Sequence, residues 1–136
     1  MSCSWRDCTR VALSGRGRYC AVVILEIRTY RLHPGTGPEF VRLMREESIP
    51  LLHAAGIRVL AAGSTLVAED GHEEAYLIRA FESLAQHEQQ ENDFYGSDAW
   101  RQGPREAILA LIDQYHSVVL EVPESVVVEF ERANEA

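Results

Sequence analysis

The chain has 136 residues, with 21 acidic side chains against 13 basic ones and a formal net charge of −8 at pH 7. A chain of this length folds as one domain that buries about two thirds of its unfolded surface. Its excess of carboxylates repels phosphate groups, so we expect no nucleic acid and no membrane as a partner. No apolar run approaches the roughly 20 residues that cross a bilayer, and we expect a soluble, cytoplasmic protein.

Residues 1–21 differ in composition from the rest of the chain. They hold four arginines, one aspartate and all three cysteines, Cys3, Cys8 and Cys20. An odd number of cysteines makes no disulfide framework, and the spacing lacks the further ligands of a structural zinc site. We predict a disordered N-terminal extension. The same composition fits an organelle transit peptide or translation from a start codon upstream of the true one.

The first predicted element is a strand over about Val22 to Leu32, because apolar and polar residues alternate there. One face carries Val23, Leu25, Ile27 and Thr29, and the other carries Ile24, Glu26, Arg28 and Tyr30. We predict that the second, polar face points away from the helices.

A helix is predicted after the Pro34-Gly35 turn, with Thr36 and Glu39 as a capping box. Its apolar stripe is Phe40, Leu43, Met44, Leu51, Leu52 and Ala55. Pro50 should bend or break this helix near residues 48–50. Glu47 falls one heptad after Phe40, where its carboxyl either faces a pocket with a raised pKa or extends into solvent.

Strands are predicted over about Ile57 to Ala68 and Glu74 to Phe81, and the Asp70-Gly71 pair between them predicts a hairpin. Ser83 and Gln86 form a second capping box, which begins a helix that ends at Gly96. More helix follows from Ser97, interrupted at Gly103-Pro104 and resumed along an apolar stripe. The stripe comprises Ala107, Ile108, Leu111, Ile112 and Tyr115. A fourth strand is predicted over about His116 to Val122.

The predicted order of strand, helix, strand, strand, helix, strand is the ferredoxin-like βαββαβ arrangement of an α+β fold, an antiparallel sheet with helices on one face. The domain covers residues 22–122. Residues 123–136 form an extension that contains a short edge strand or a helical end and then frays. The other face of the sheet is too apolar for water, so we predict a homodimer in which a second subunit covers it.

Several segments together resemble the NIPSNAP family over about Val22 to Val122. They are Ile27-Arg28-Thr29-Tyr30-Arg31-Leu32 with the Pro34-Gly35 turn, the Pro50 interruption, Tyr76-Leu77-Ile78-Arg79-Ala80-Phe81-Glu82-Ser83-Leu84, and Trp100. The resemblance implies a dimeric α/β barrel, in which two ferredoxin-like sheets pack face to face. Most members of the family lack an established biochemical activity. The cysteine-bearing N-terminal residues and the valine-rich C-terminal end depart from the family pattern.

Six residues are candidates for contact with a small-molecule ligand: Arg28, Tyr30, Arg79, Tyr76, Trp100 and Glu47. Arg28 and Tyr30 share a strand face with Glu26, so these side chains either converge on a cavity or pair with neighbours and pack across the dimer. Arg79 lies in an otherwise apolar strand and needs a carboxylate partner, for which Glu26 is a candidate, or an anionic ligand. Trp100 lies near other aromatic residues and either walls a ligand site or packs in the core.

No residue pattern predicts a metal site, a cofactor or a nucleophile, and the five histidines lack paired metal spacing. We therefore interpret all five as ordinary histidines. Two functions stay open. One is a homodimeric small-molecule-binding or scaffold domain. The other is a cofactor-independent enzyme, such as an oxygenase, isomerase or cyclase, with a rigid pocket between sheet and helices.

Overall fold

Four strands form one antiparallel sheet in the computed structural model, which describes residues 21–134 except for the side chain of Glu69. The strands are β1 (Val22–Leu32), β2 (Arg58–Ser64), β3 (Glu74–Phe81) and β4 (Ile112–Pro123). They lie in the order β2-β3-β1-β4, which confirms the predicted ferredoxin-like fold. The predicted N-terminal extension lies outside the described residues apart from Ala21.

Two groups of helices pack on one face of this sheet. After β1 come α1 (Gly37–Leu43), a π-helical segment (Met44–Ser48) and α2 (Ile49–Ala54); after β3 come α3 (Leu84–Tyr95), α4 (Asp98–Arg101) and α5 (Arg105–Leu109). The main core lies between them and the sheet and includes Phe40, Leu52, Leu77, Phe81 and Phe94. Among residues 21–134, no helix is both long enough and apolar enough for a bilayer crossing.

The polar side chains of β1 point toward the helices, so the face predicted for them from the sequence is wrong. Glu26 is 1 % exposed and Tyr30 5 % exposed, and Tyr30 belongs to the core beneath the helices. Alternation identifies which residues share a face, but it does not decide which face is covered. Charged groups enter the interior here because other buried groups pair with them.

A further helix, α6 (Glu124–Asn134), covers one end of the opposite sheet face. Val127 on this helix is fully buried against Val23, Leu60 and Ala80, which form a second core cluster. For the C-terminal residues the structure therefore has the predicted helical end rather than an edge strand.

The helix α6 is also held by an ion pair. Arg58 at the start of β2 donates from Nη2 to Glu131 Oε1 at 2.6 Å and from Nε to Glu131 Oε2 at 3.1 Å. Beyond the helix the sheet face stays open, because Val118 and Leu120 of β4 are each 41 % exposed.

Two strand boundaries differ from the sequence prediction. β2 ends at Ser64 rather than near Ala68, because the connection to β3 includes Asp70 with φ 58° and Gly71 with φ 73°, and so is longer than a tight hairpin. β4 begins at Ile112, so the residues from Ile112 to Tyr115 are strand and not the end of a helical stripe. The predicted antiparallel pairing of β2 with β3 is confirmed.

The start of α1 is capped by a distant residue. Glu73 accepts hydrogen bonds from Gly35 N at Oε1 and from Gly37 N at Oε2, both at 2.8 Å. Thr36 makes no capping bond through its side chain, and Glu39 pairs with Arg42, so the first predicted capping box is wrong. The carboxylate of Glu73, just before β3, thus accepts the hydrogen bonds of the first helical N–H groups that the Thr36 side chain was expected to accept.

The interruption near Pro50 takes the form of the π-helical segment, which ends two residues before the proline. A π turn contains more residues than an α turn, so it shifts the inward position along the chain. Ser48 is therefore buried at 3 % exposure, while Glu47 is exposed. Leu52 follows four residues later and is fully buried.

Candidate ligand site between the sheet and the helices

A buried ionic cluster lies under the helices at the centre of the sheet. Arg79 of β3 is fully buried, and its guanidinium donates to Glu26 Oε1 through Nε at 2.8 Å and through Nη2. The predicted pairing of Arg79 with Glu26 is confirmed. Arg79 Nη1 also donates to the Tyr95 hydroxyl at 3.0 Å, so α3 is tied to the sheet through this cluster.

Arg28 of β1 is the second cation of the cluster. It donates from Nη2 to Glu26 Oε2 at 3.2 Å and to Glu91 Oε1 at 2.9 Å, and from Nη1 to Tyr95 at 3.1 Å. Its Nε donates to Ser117 Oγ at 2.9 Å, and its guanidinium carbon lies 4.9 Å from the centre of the Tyr115 ring. Four of its five N–H groups thus have protein acceptors.

The two carboxyl groups of the cluster have opposite pKa shifts. Burial is the largest influence on Glu26 and favours its neutral acid, but the charges of Arg79 and Arg28 and the hydrogen bonds with Glu91 and His87 together outweigh it. The pKa of Glu26 therefore lies below its ordinary value. Burial, followed by the interaction with Glu26, raises the pKa of Glu91. Glu91 Oε2 is buried and makes no aligned hydrogen bond, although His87 Nε2 lies 2.6 Å away. Of the two carboxyl groups, Glu91 is therefore the one that takes up a proton more readily.

The stability of the Glu91→Gln variant relative to the natural chain should increase as the pH rises from 4.5, the ordinary glutamate pKa, toward neutrality. Because the folded-state pKa of Glu91 is raised, the natural chain loses stability as the pH rises through that pKa, whereas a glutamine stays neutral. Urea unfolding across this window measures the difference. Glu88→Gln on the exposed side of α3 is the control. If the difference in free energy of unfolding between Glu91→Gln and the natural chain did not change with pH, the raised pKa of Glu91 would be contradicted.

Glu26, His87 and Glu91 also offer ligand atoms that all lie within 4.8 Å of one another, which is the geometry of a possible metal site. This grouping was not predicted from the sequence, where its local signal is the spacing of His87 and Glu91 by one helical turn. Glu26 already accepts hydrogen bonds from both Arg28 and Arg79, and Glu91 accepts one from Arg28. A divalent cation would have to displace those guanidinium groups, so the arrangement suits a proton better than a metal ion.

A cavity of about 560 Å³ lies beside this cluster, between the sheet and the helices. The polar side chains on its lining are Arg28, Tyr30, Ser48, Glu91, Asn92, Tyr95, Arg105 and Tyr115, and its apolar walls include Met44, Leu77, Trp100, Ile108, Leu109 and Ile112. The lining thus mixes apolar walls with convergent polar groups, a combination that suits an amphipathic small molecule.

Several polar side chains on the cavity lining, among them Ser48 and Arg105, make no hydrogen bond within residues 21–134. Ser48 is buried at 3 % exposure, but its Oγ is not among the fully buried atoms that lack a partner, so the hydroxyl opens onto the cavity. Arg105 is exposed at the first turn of α5 and forms no side-chain hydrogen bond or ion pair there. Both groups are therefore available to hydrogen-bond a ligand atom.

Three of the six side chains predicted from the sequence line the cavity: Arg28, Tyr30 and Trp100. Trp100 also packs on Phe94 and Tyr95, with ring centres 5.5 Å and 5.4 Å away. It therefore belongs to both the core and the cavity wall, which the sequence analysis treated as alternatives.

The other three predicted residues lie elsewhere. Arg79 is in the ionic cluster but is not on the cavity lining. Tyr76 pairs with Thr29 across the strands and so lies on the opposite face of the sheet. Glu47 is exposed and does not line the cavity, because the π-helical segment places Ser48 there instead.

Comparison with known proteins agrees with this fold. The family model described as NIPSNAP matches residues 25–125. No curated protein matches the chain significantly. Among solved structures, an uncharacterized NIPSNAP domain protein from Burkholderia xenovorans is similar with a TM-score of 0.62 and 20 % identity, over 71 % of this chain and 91 % of that one.

Two further structures have the same fold. A NIPSNAP family protein from Agrobacterium tumefaciens has a TM-score of 0.65 and 19 % identity, over 72 % of this chain and 90 % of that one. A putative antibiotic biosynthesis monooxygenase from Bacteriodes thetaiotaomicron has a TM-score of 0.51 and 11 % identity, over 71 % of this chain and 85 % of its own. At these identities the likeness concerns the fold alone.

Proposed function

The chain belongs to the NIPSNAP family, and from that premise we propose that it is a homodimeric domain which binds an amphipathic small molecule between its sheet and its helices. The observation that carries the proposal is the cavity of about 560 Å³ with the unpartnered Ser48 hydroxyl on its lining. A scaffold without a ligand has no need of a cavity of this size with free hydrogen-bonding groups on its lining.

The ionic cluster supports the same function by fixing the shape of the site. Arg28 and Tyr95 both line the cavity, and they are joined to each other and to the fully buried Arg79 by hydrogen bonds. Side chains that are held in this way need no reordering when a ligand arrives, so binding costs less conformational entropy. A preformed site is the usual arrangement for small-molecule binding.

Filling the cavity should abolish the binding of a neutral apolar probe. Leu109 lines the cavity and is 43 % exposed, so Leu109→Trp adds volume to the site at little cost to the core. We expect N-phenylnaphthylamine to fluoresce with the natural chain and to lose most of that signal with Leu109→Trp. Fluorescence titration measures the dissociation constant.

The control for this experiment is Leu66→Trp, because Leu66 is fully exposed in the connection between β2 and β3 and does not line the cavity. Probe binding that is equal in both variants would overturn the proposal, since the probe would then lie outside the cavity. Cooperative thermal unfolding of each variant excludes the binding of the probe to a loosened core.

The homodimer is supported by the open part of the sheet face that lies beyond α6. Val118 and Leu120 are each 41 % exposed there, beside the partly buried Ile27 and Ile78. These side chains are neighbours across three strands, since Ile27 is paired with both Val118 and Ile78. A second copy would present the same apolar patch, as a two-fold interface requires.

Sedimentation at micromolar concentration is expected to give a dimer for the natural chain and a monomer for Val118→Asp. The aspartate would lie in the proposed interface, where dimer formation would remove water from its carboxylate. Leu84→Asp is the control, since Leu84 is 62 % exposed at the first turn of α3, on the helical side. A monomeric natural chain would contradict the dimer while leaving the binding proposal intact.

A cofactor-independent enzyme is the second candidate, favoured by Glu91. This carboxyl lines the cavity, its pKa is raised, and one of its oxygens makes no hydrogen bond. Such a group could accept or donate a proton at a bound substrate. The Glu91→Gln variant separates the two functions, because an enzyme would lose turnover while it kept its affinity for the neutral probe.

A further inference from the structure

We infer that the molecule which occupies this cavity is an organic anion, an apolar body that carries one carboxylate or comparable group, and that Arg105 neutralises this group. The inference rests on the proposed binding function and adds the charge of the ligand to it.

The charges on the cavity lining are opposite in sign to those of the whole protein. The chain has a net charge of −8, yet the lining carries two arginines, Arg28 and Arg105, against Glu91 as its acidic side chain. Glu91 is committed to Arg28 at 2.9 Å and lies 3.5 Å from Arg79. The cluster of Glu26, Glu91, Arg28 and Arg79 has no net charge even when both acids are ionised, so Arg105 leaves the site with an unbalanced positive charge.

Arg105 is available for such a ligand. Some arginines of the chain have carboxylate partners, as Arg42 has with Glu39 and Arg58 has with Glu131. Within residues 21–134, the Arg105 guanidinium has none and still borders the cavity. A guanidinium binds a carboxylate through two parallel hydrogen bonds, which makes it the side chain best suited to this recognition.

The other residues on the cavity lining indicate what the uncharged part of the ligand is like. The walls around Leu77, Ile108 and Met44 are apolar and would exclude water from a hydrocarbon or aromatic body. The Ser48 hydroxyl adds one further hydrogen-bonding position. A fully polar metabolite would leave these apolar walls unused, whereas an amphipathic acid uses both kinds of surface.

A matched pair of fluorescent probes tests the sign of the charge. N-phenylnaphthylamine is neutral, and anilinonaphthalene sulfonate is the same molecule with an added sulfonate. We expect the natural chain to bind the sulfonate about fivefold more tightly than the neutral probe, and Arg105→Gln to remove this preference. The preference should also shrink as salt is added. Only the fluorescence that Leu109→Trp abolishes is counted, because the sulfonate also binds exposed apolar surfaces.

Arg101→Gln is the matched control, since Arg101 is an exposed arginine on α4 that has no side-chain partner within the described chain and does not line the cavity. Equal affinity for the two probes, or an equal effect of Arg101→Gln and Arg105→Gln, would overturn the inference. In either case the neutral probe would still bind in the cavity. Loss of the proposed function is a different result, in which neither probe gives a signal that Leu109→Trp removes.

Discussion

Replacing Arg79 by methionine is expected to lower the free energy of unfolding by about 3 to 5 kcal/mol, the usual cost of removing one partner from a buried ion pair. Arg79 is fully buried and Glu26 is 1 % exposed, so the variant leaves a buried carboxylate that has lost its main cation. Arg28 lies 3.2 Å from Glu26 and replaces only part of the lost interaction. Urea unfolding at neutral pH measures the change.

Arg42→Met is the control for this variant. Arg42 pairs with Glu39 and Glu46, but its side chain is 50 % exposed and solvent screens the pair, so we expect little change in the free energy of unfolding. The double variant Arg79→Met with Glu26→Met should recover part of the lost stability, because it leaves no unpaired charge of the pair behind. Equal effects of Arg79→Met and Arg42→Met would mean that the cluster contributes nothing specific to the fold.

Val127→Asp should cost about 3 kcal/mol, since it places a carboxylate in an apolar cluster that offers it no partner. Val127 is fully buried between α6 and the sheet, whereas its neighbour Val126 is 50 % exposed. Val126→Asp therefore matches the change in helix propensity and charge without the burial. We expect it to alter stability by about 0.5 kcal/mol or less.

The measurement is again the free energy of unfolding in urea, together with the helical signal in the far ultraviolet. A selective loss of helix with an intact thermal transition would show that α6 detaches while the sheet stays folded. Similar costs for Val126→Asp and Val127→Asp would contradict the packing of α6 on the sheet.

Strong local patterns predicted most of the fold. Alternation identified β1, and the interval from Glu74 to Phe81 has the same bounds in the structure as in the prediction. The Ser83 cap is confirmed, since its hydroxyl accepts from Gln86 N at 3.1 Å. These features depend on neighbours in the sequence, so the sequence alone carries them.

Most features set by distant residues were not predicted, and the pairing of Arg79 with Glu26 is the exception. The cap of α1 comes from Glu73, more than thirty residues later in the chain. The direction of Glu26 and Arg28 depends on Arg79 and Glu91, which lie on two other elements. A local pattern carries no information about such partners until the fold brings them together.

The candidate site was predicted in part for the same reason. Arg28, Tyr30 and Trp100 were identified because they are polar or aromatic groups in well-predicted elements. Ser48 was missed because the π-helical segment, which the sequence does not reveal, turns it toward the cavity. Arg105 was missed because only the folded structure shows that no carboxylate pairs with it. The spacing of His87 and Glu91 on one face of α3 was the available signal for the ionic cluster.

The π-helical segment over Met44–Ser48 makes this part of the chain sensitive to its length. In a continuous α-helix the twelve steps from Phe40 to Leu52 would place the two side chains about 120° apart, yet both are buried on the same face. The π turn takes up the extra residue, so deleting one residue within the segment would leave an ordinary α-helix with Leu52 still facing the core. Inserting one residue would instead turn everything that follows by about 100° and carry Leu52 out of the interior.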